Sequence, residues 1–166
     1  MKFLMFLVGT VFSIVVNASE IVNINAGLNF TRCEKSGEDL TCMSPVISLK
    51  KISIPLEYSK DAAFPSGDYN FNMSSDGYDF VGSISVTKFW IGSENQAQYN
   101  IYTSFSSIKN NDPATYQWQM LGRVTITDIA QLNNILWAAP TIYDGNIKLK
   151  LDLVIQAPDS SIAITR

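Results

Sequence analysis

The sequence contains no histidine. That excludes a Ser-His-Asp triad, a Cys-His pair, histidine metal ligands and a histidine-driven pH response. Charge is also scarce. Asp, Glu, Lys and Arg make up 16% of the chain, and 12 basic against 15 acidic residues leave a net charge of −3. Nucleic-acid binding draws its affinity from clustered Lys and Arg on phosphates, and this chain offers no such excess. There are two cysteines, too few without histidine to complete a tetrahedral zinc site. Neither a metal nor any other cofactor is expected. After residue 18 no apolar run approaches the ~20 residues that a membrane-spanning helix needs.

The chain opens with an apolar stretch of a different kind. Residues 1–18 read MKFLMFLVGTVFSIVVNA. Lys2 supplies a positive start, Phe3 to Val16 an apolar run of about 14 residues, and Val16-Asn17-Ala18 the small residues before a cleavage site. The run is short for a retained anchor. The pattern predicts a secretory signal peptide cut after Ala18, leaving residues 19–166 as a single all-β domain of 148 residues. Loss of Lys2 takes the net charge to −4. An exported protein is expected, whether periplasmic, secreted or held at the cell surface. Cys33 and Cys42 flank the turn-rich segment EKSGEDLT. In an oxidising compartment this pair reads as a disulfide. Closing so short a loop contributes roughly 2–3 kcal/mol in the chain-entropy description.

The rest of the chain alternates. Val22, Ile24, Ala26, Leu28 and Phe30 point one way and Asn23, Asn25, Gly27 and Asn29 the other, the period of a half-buried strand. Pro45 suggests an edge or a bulge. The apolar set changes phase between Ile47-Leu49 and Ile52-Ile54-Leu56, which predicts a bulge near Lys50-Lys51. Further strands are expected around Tyr69–Met73, Tyr78–Trp90, Tyr99–Phe105, Tyr116–Ile126 and Ile147–Ile155, and a short last one around Ile162 and Ile164. Asp76-Gly77, Asn110-Asn111 and Asp144-Gly145-Asn146 mark turns between them. Asp128 with Gln131 resembles a capping box, and Ile129, Leu132 and Leu136 recur at helical spacing, so a short helix is expected over 129–137. The expected fold is an antiparallel β-sandwich or small β-barrel of about eight or nine strands with one short helix.

Candidate sites are few. Asp76 and Asp144 precede glycines, where aspartate serves the turn. Asp76-Gly77-Tyr78-Asp79 lacks the spacing of a calcium loop. No two acids are brought together by pattern, so no carboxylate pair for hydrolysis is assigned. Trp90 and Trp118 are in phase with apolar neighbours and are expected in the core. Trp137 is expected to end the helix and plug the sheet. Lys88 interrupts an apolar face and is expected to reach out to water. Phe89 and Tyr102 fall on the polar faces of their strands, where exposed rings could contact a ligand or partner. The expected function is a non-catalytic exported β-domain that binds a ligand, a surface or a protein partner. The alternatives are a small outer-membrane β-barrel, a surface subunit assembled by strand exchange with Val22–Phe30 as donor, and, third, a carboxylate-based hydrolase.

Overall fold

The computed structural model describes residues 19–43, 46–47, 49–61, 63–92, 96–133 and 135–158. The expected leader, Pro45 and the expected last strand at Ile162 and Ile164 lie outside them. The described chain is almost entirely strand and forms two antiparallel sheets. The first is centred on β1 (Glu20–Ser36), which is flanked by two interrupted ribbons and one continuous strand. On one side run β2 (Asp39–Cys42), β3 (Val46–Ile47) and β4 (Lys50–Leu56). On the other runs β11 (Ile147–Gln156), edged in turn by β9 (Ile135–Ala138) and β10 (Ile142–Asp144). The second sheet is a meander of β5 (Ser66–Ser75), β6 (Tyr78–Ile91), β7 (Gln96–Lys109) and β8 (Asp112–Ile126).

Followed along the chain, each ribbon neighbours the next, and β11 closes back on β1. This is the order of an eight-ribbon up-and-down barrel, but two seams are not laddered. Between β4 and β5 a single bridge joins Glu57 to Ser66, each N–H bonding the other's carbonyl at 3.0 Å. Between β8 and the β9–β10 ribbon no strand pairing occurs among the described residues. The barrel therefore lies open along two lines and its halves face each other as a sandwich.

The alternation dictates what fills the space between them. Val22, Ile24, Ile52, Ile54, Leu153 and Ile155 of the first sheet meet Ile84, Val86 and Ile101 of the second, all buried. A second cluster gathers Phe80, Phe105, Leu149 and Leu151 around half-buried Phe30. The outward positions of β6 and β7 carry Ser83, Ser85, Thr87, Asn100, Ser104 and Ser106. The interior is apolar, unlike the polar lumen of an outer-membrane barrel, and the outer face mixes these polar residues with Val81, Phe89 and Tyr102. Among the described residues no helix is long and apolar enough to cross a membrane.

Several expectations need correction. The β1–β4 register runs without a slip from Asn29 opposite Ile47 to Glu20 opposite Leu56, so there is no bulge at Lys50-Lys51. The extra residue lies between Cys42, opposite Cys33, and Val46, opposite Phe30. The helix over 129–137 is a single 3-10 turn, Ile129–Gln131. Its capping box is real: Asp128 accepts from the Ala130 N–H at 2.9 Å, and Gln131 accepts from the Asp128 N–H at 3.4 Å. But Ile135–Ala138 pairs with Val154 and its neighbours on β11. A nine-residue helix is marginal by itself, whereas a strand here satisfies the edge of β11. Trp137 therefore belongs to β9. Within Val22–Phe30, the residues from Asn25 on pair with β11, and Val22 to Ala26, Asn29 and Phe30 pair with the β3–β4 ribbon. Cys33 and Cys42 form a disulfide across the β1–β2 pair, as expected from their spacing, and a disulfide fits an oxidising environment.

Candidate functional site

The first candidate arises from one inserted residue in β8. From Ile126 back to Gly122, β8 pairs in step with β7, placing Val124 opposite buried Ile101 and Gly122 opposite buried Thr103. Then the register shifts: Met120 stands opposite Ser104 and Trp118 opposite Ser106, leaving Leu121 as the extra residue of a bulge. A one-residue insertion exchanges the two faces of a strand. Tyr116, Trp118 and Met120, which share even numbering with core residues Val124 and Ile126, are thereby turned outward. They are 56%, 59% and 51% exposed. The expectation that Trp118 packs in the core fails for this reason.

The same half of β8 borders the open seam. Thr115 to Gln119 on one side and Pro140 to Tyr143 on the other line two hollows of about 480 and 400 Å³ that share Gln117. Tyr78 and Phe105 form part of the lining. Pro140 lies in the break between β9 and β10. Further along, the seam is held shut by a contact without hydrogen bonds: the Trp137 indole lies where a Cβ on Gly122 would be, 2.0 Å from Nε1. The result is a groove with an unladdered strand edge, walled by apolar and amide side chains.

Phe89 and Tyr102 are both half-buried and both face outward on the second sheet. Tyr102 lies opposite Ser85, and Phe89 is four residues further along β6, opposite Gln98. That is a separation of roughly 13 Å along the strands, so the structure does not bring the two rings together. The Arg123 guanidinium covers Tyr102 at 5.8 Å, and Phe89 packs edge-on against Phe64 at 6.3 Å. Tyr102 is two residues along β7 from Ser104, the partner of Met120, so it stands at the end of the outward apolar row.

The second candidate is a cleft of about 450 Å³ at one end of the sandwich, lined by Ser19, Glu20, Leu56, Glu57, Tyr58, Pro65, Lys88 and Trp90. Lys88 does not reach out to water. It extends between the sheets and pairs with Glu20 at the start of β1, while the Tyr99 hydroxyl donates to the other Glu20 oxygen. Its ammonium also lies 5.7 Å from the Trp90 ring and 5.5 Å from the Tyr99 ring, a cation–π arrangement. Trp90 is 38% exposed rather than buried.

These contacts move the titrations. Partial burial opposes ionisation of Glu20, but the hydrogen bonds from Lys88 and Tyr99 and the Lys88 charge outweigh it, and its pKa is lowered. The hydrogen bond to Glu20 raises Lys88 despite its burial. Burial, then the Glu20 contact, raise Tyr99. Folding thus favours ionised Glu20, and that contribution is lost as pH falls through its folded pKa, below about pH 4–5. Folding favours protonated Lys88 and Tyr99, and those contributions are lost as pH rises above about 10. Comparing urea midpoints of the native chain and Glu20→Gln, the difference is expected to be at most about 1 kcal/mol at pH 7, given the partial exposure. It is expected to shrink towards zero below pH 4. A difference that holds constant with pH would show that the Glu20 charge contributes nothing.

The turn aspartates have partners that the sequence did not suggest. Asp76 accepts from Arg32 Nε at 3.0 Å, tying the β5–β6 turn to the opposite sheet. The Ser75 hydroxyl, then Arg32, hold its pKa below the ordinary value against a modest burial effect. Asp144 pairs with Lys109 at 2.6 Å. Among the described residues, no three Cys, Asp or Glu side chains converge to hold a metal ion.

Fold and grooves together describe an antiparallel β-sandwich whose two sheets meet along two incompletely laddered seams. No family model, curated protein or solved structure matches the chain.

Proposed function

We propose that this protein is an exported, non-catalytic β-domain that recognises a protein partner by accepting an extended segment along the open edge of β8. The observation that carries this reading is the bulge at Leu121, which exposes Tyr116, Trp118 and Met120 beside an unladdered seam. A strand edge supplies main-chain hydrogen bonds to an added strand, and flanking side chains supply selectivity. Tyr, Trp, Met and Arg, all present around this edge, are the residues enriched at protein contacts. The leader-like pattern of residues 1–18, the disulfide and the absence of histidine support the exported and non-catalytic parts of the reading.

A photo-cross-linking residue placed at Trp118 is expected to trap a partner in cells that export the protein. The same residue at Lys51, on the other sheet, is not. Trp118→Ala is expected to weaken the trapped complex roughly 30-fold, the scale of a hot-spot tryptophan, with unfolding unchanged. Equal trapping at both positions would overturn the proposal. An adduct of twice the chain's mass would identify the partner as a second copy.

A further inference from the structure

The two ends of the sandwich differ in chemistry. One end carries the strand connections Gly37-Glu38, Asp76-Gly77, Asn110-Asn111 and Gly145-Asn146. Every tip there is glycine, amide or carboxylate. At the other end β1 begins at Glu20, β4 gives way to the loop that leads to β5, and β6 ends at Ile91. Tyr58 and Phe64 in that loop, and Trp90 and Ile91 on β6, are all exposed. Phe64 lies 6.4 Å from Trp90 and 6.3 Å from Phe89, so the loop and the end of β6 share one apolar tip.

Apolar residues exposed singly need no account. A cluster gathered at one end does, because its rings and aliphatic carbons meet water together. Charge is not what would bring a cover to it. Among the described residues of this end, Lys88 is paired with Glu20, Lys60 adjoins Asp61, and Glu57 and Asp128 leave a slight negative excess.

We propose that this end docks on the surface of a neutral lipid bilayer, with Phe64, Trp90 and Ile91 at the depth of the headgroups. Two observations favour a bilayer over a protein as the cover. Trp90 and Tyr58 each join an apolar ring to one polar N–H or O–H, the combination enriched where hydrocarbon meets water at a membrane. The chain also enters the domain here: the apolar run Phe3 to Val16 ends shortly before Glu20, the first residue of β1. Continuity of the backbone brings this end, and not the polar one, to any apolar phase that the run meets, whether or not the run is later removed. Insertion is shallow, since it is carried by loop and strand-end side chains without a spanning element. Tyr116 and Trp118 lie in the half of β8 nearer the polar end, so the groove beside them stays in water. The inference goes beyond the partner reading and stands or falls separately from it.

The test mixes the protein, as purified from cells that export it, with phosphatidylcholine vesicles. It is expected to sediment with them, and lipids brominated on the acyl chains are expected to quench its tryptophan fluorescence. Ile91→Ser and Trp90→Ser are each expected to weaken partition about tenfold, the scale of withdrawing one large apolar side chain from the interface. Quenching is expected to vanish in Trp90→Ser and to persist in Trp118→Ser, which also partitions as the native chain does. Ile91→Ser leaves the Lys88–Glu20 contact in place, so a loss there does not report on folding. Binding is expected to survive 1 M salt, which screens charges beyond roughly 3 Å. No binding, or equal binding with and without Trp90 and Ile91, overturns the proposal. So does binding that requires phosphatidylserine, because electrostatic attraction would then be the cause. Self-association in lipid-free buffer that the same two substitutions abolish would assign this end to a protein contact and overturn the bilayer as its cover.

Discussion

Phe80→Ala is expected to destabilise the protein by about 3–5 kcal/mol, the usual range for emptying a buried aromatic position. Phe80 is 1% exposed. Its ring lies 5.9 Å from Phe105 and 5.8 Å from Tyr78 on its own sheet, and 6.2 Å from Phe30 on the facing one. Truncation removes the centre of this group and leaves three rings with no common neighbour. The cavity cannot collapse easily, because each ring is carried by a long, laddered strand. For a domain of this size the loss corresponds to a fall in Tm of roughly 10 °C. Urea unfolding with the disulfide intact measures it, and Phe80→Leu, which keeps most of the volume, is expected to cost about 1 kcal/mol. A loss below 1 kcal/mol for the alanine variant would show that the second core cluster does not hold the sheets together.

Gly67→Ala is expected to cost about 3 kcal/mol, although it adds only one methyl group. A Cβ at Gly67 would stand 2.1 Å from the Pro55 carbonyl oxygen and 2.8 Å from Ile54 Cγ2. The first of these is backbone, so relief requires β4 and β5 to part. Parting them breaks the Glu57–Ser66 bridge, which is the only ladder element described at that seam. Overpacking of this kind usually costs 1–3 kcal/mol and more when main chain must move. A second consequence separates strain from simple loss of stability. Hydrogen exchange at the Glu57 and Ser66 amides is expected to accelerate in Gly67→Ala even where the chain remains folded. Unchanged protection there would show that the seam absorbs the methyl. Gly122 plays the matching part at the opposite seam, but its neighbour is the Trp137 ring, a side chain that can move, so alanine there is expected to cost less.

The two seams also explain why the sequence left sandwich and barrel open. Local pattern reports which face of a strand is apolar, and both architectures need the same inward face. The choice lies in how closely consecutive ribbons approach, and that depends on Gly67, Gly122 and the break at Pro140. None of the three carries a periodic signal. The membrane-barrel alternative was open for the same reason, since alternation alone does not say which side of a closed sheet meets the apolar phase.

The candidate groove was only partly legible. Tyr116, Trp118 and Met120 read as core because their even numbering matches Val124 and Ile126. A period-two argument fails silently when one residue is inserted, and Leu121 differs in no way that its neighbours reveal. Gly122, next to the bulge, was the one available hint, since glycine within a strand often marks a bulge. Lys88 was misread for a different reason. Its position in an apolar phase was correctly seen, but its partner Glu20 is 68 residues away in the chain, and no local rule pairs them. The capping box at Asp128 was read correctly as a local hydrogen-bond pattern, yet it closed only one turn, because β11 offered the following residues a better set of backbone partners.

What the sequence determined by itself was therefore the local and the covalent. The alternation of β1, the turn at Asp76-Gly77, where positive φ angles of 51° and 76° suit aspartate and glycine, and the bridging of Cys33 to Cys42 follow from near neighbours and short loops. The tertiary structure decided the register shift at Leu121, the two open seams, the burial of Lys88 against Glu20 and the strand state of Ile135–Ala138. Each of these depends on which distant backbone or charge is available to satisfy a group withdrawn from water, and that is set only when the two sheets meet.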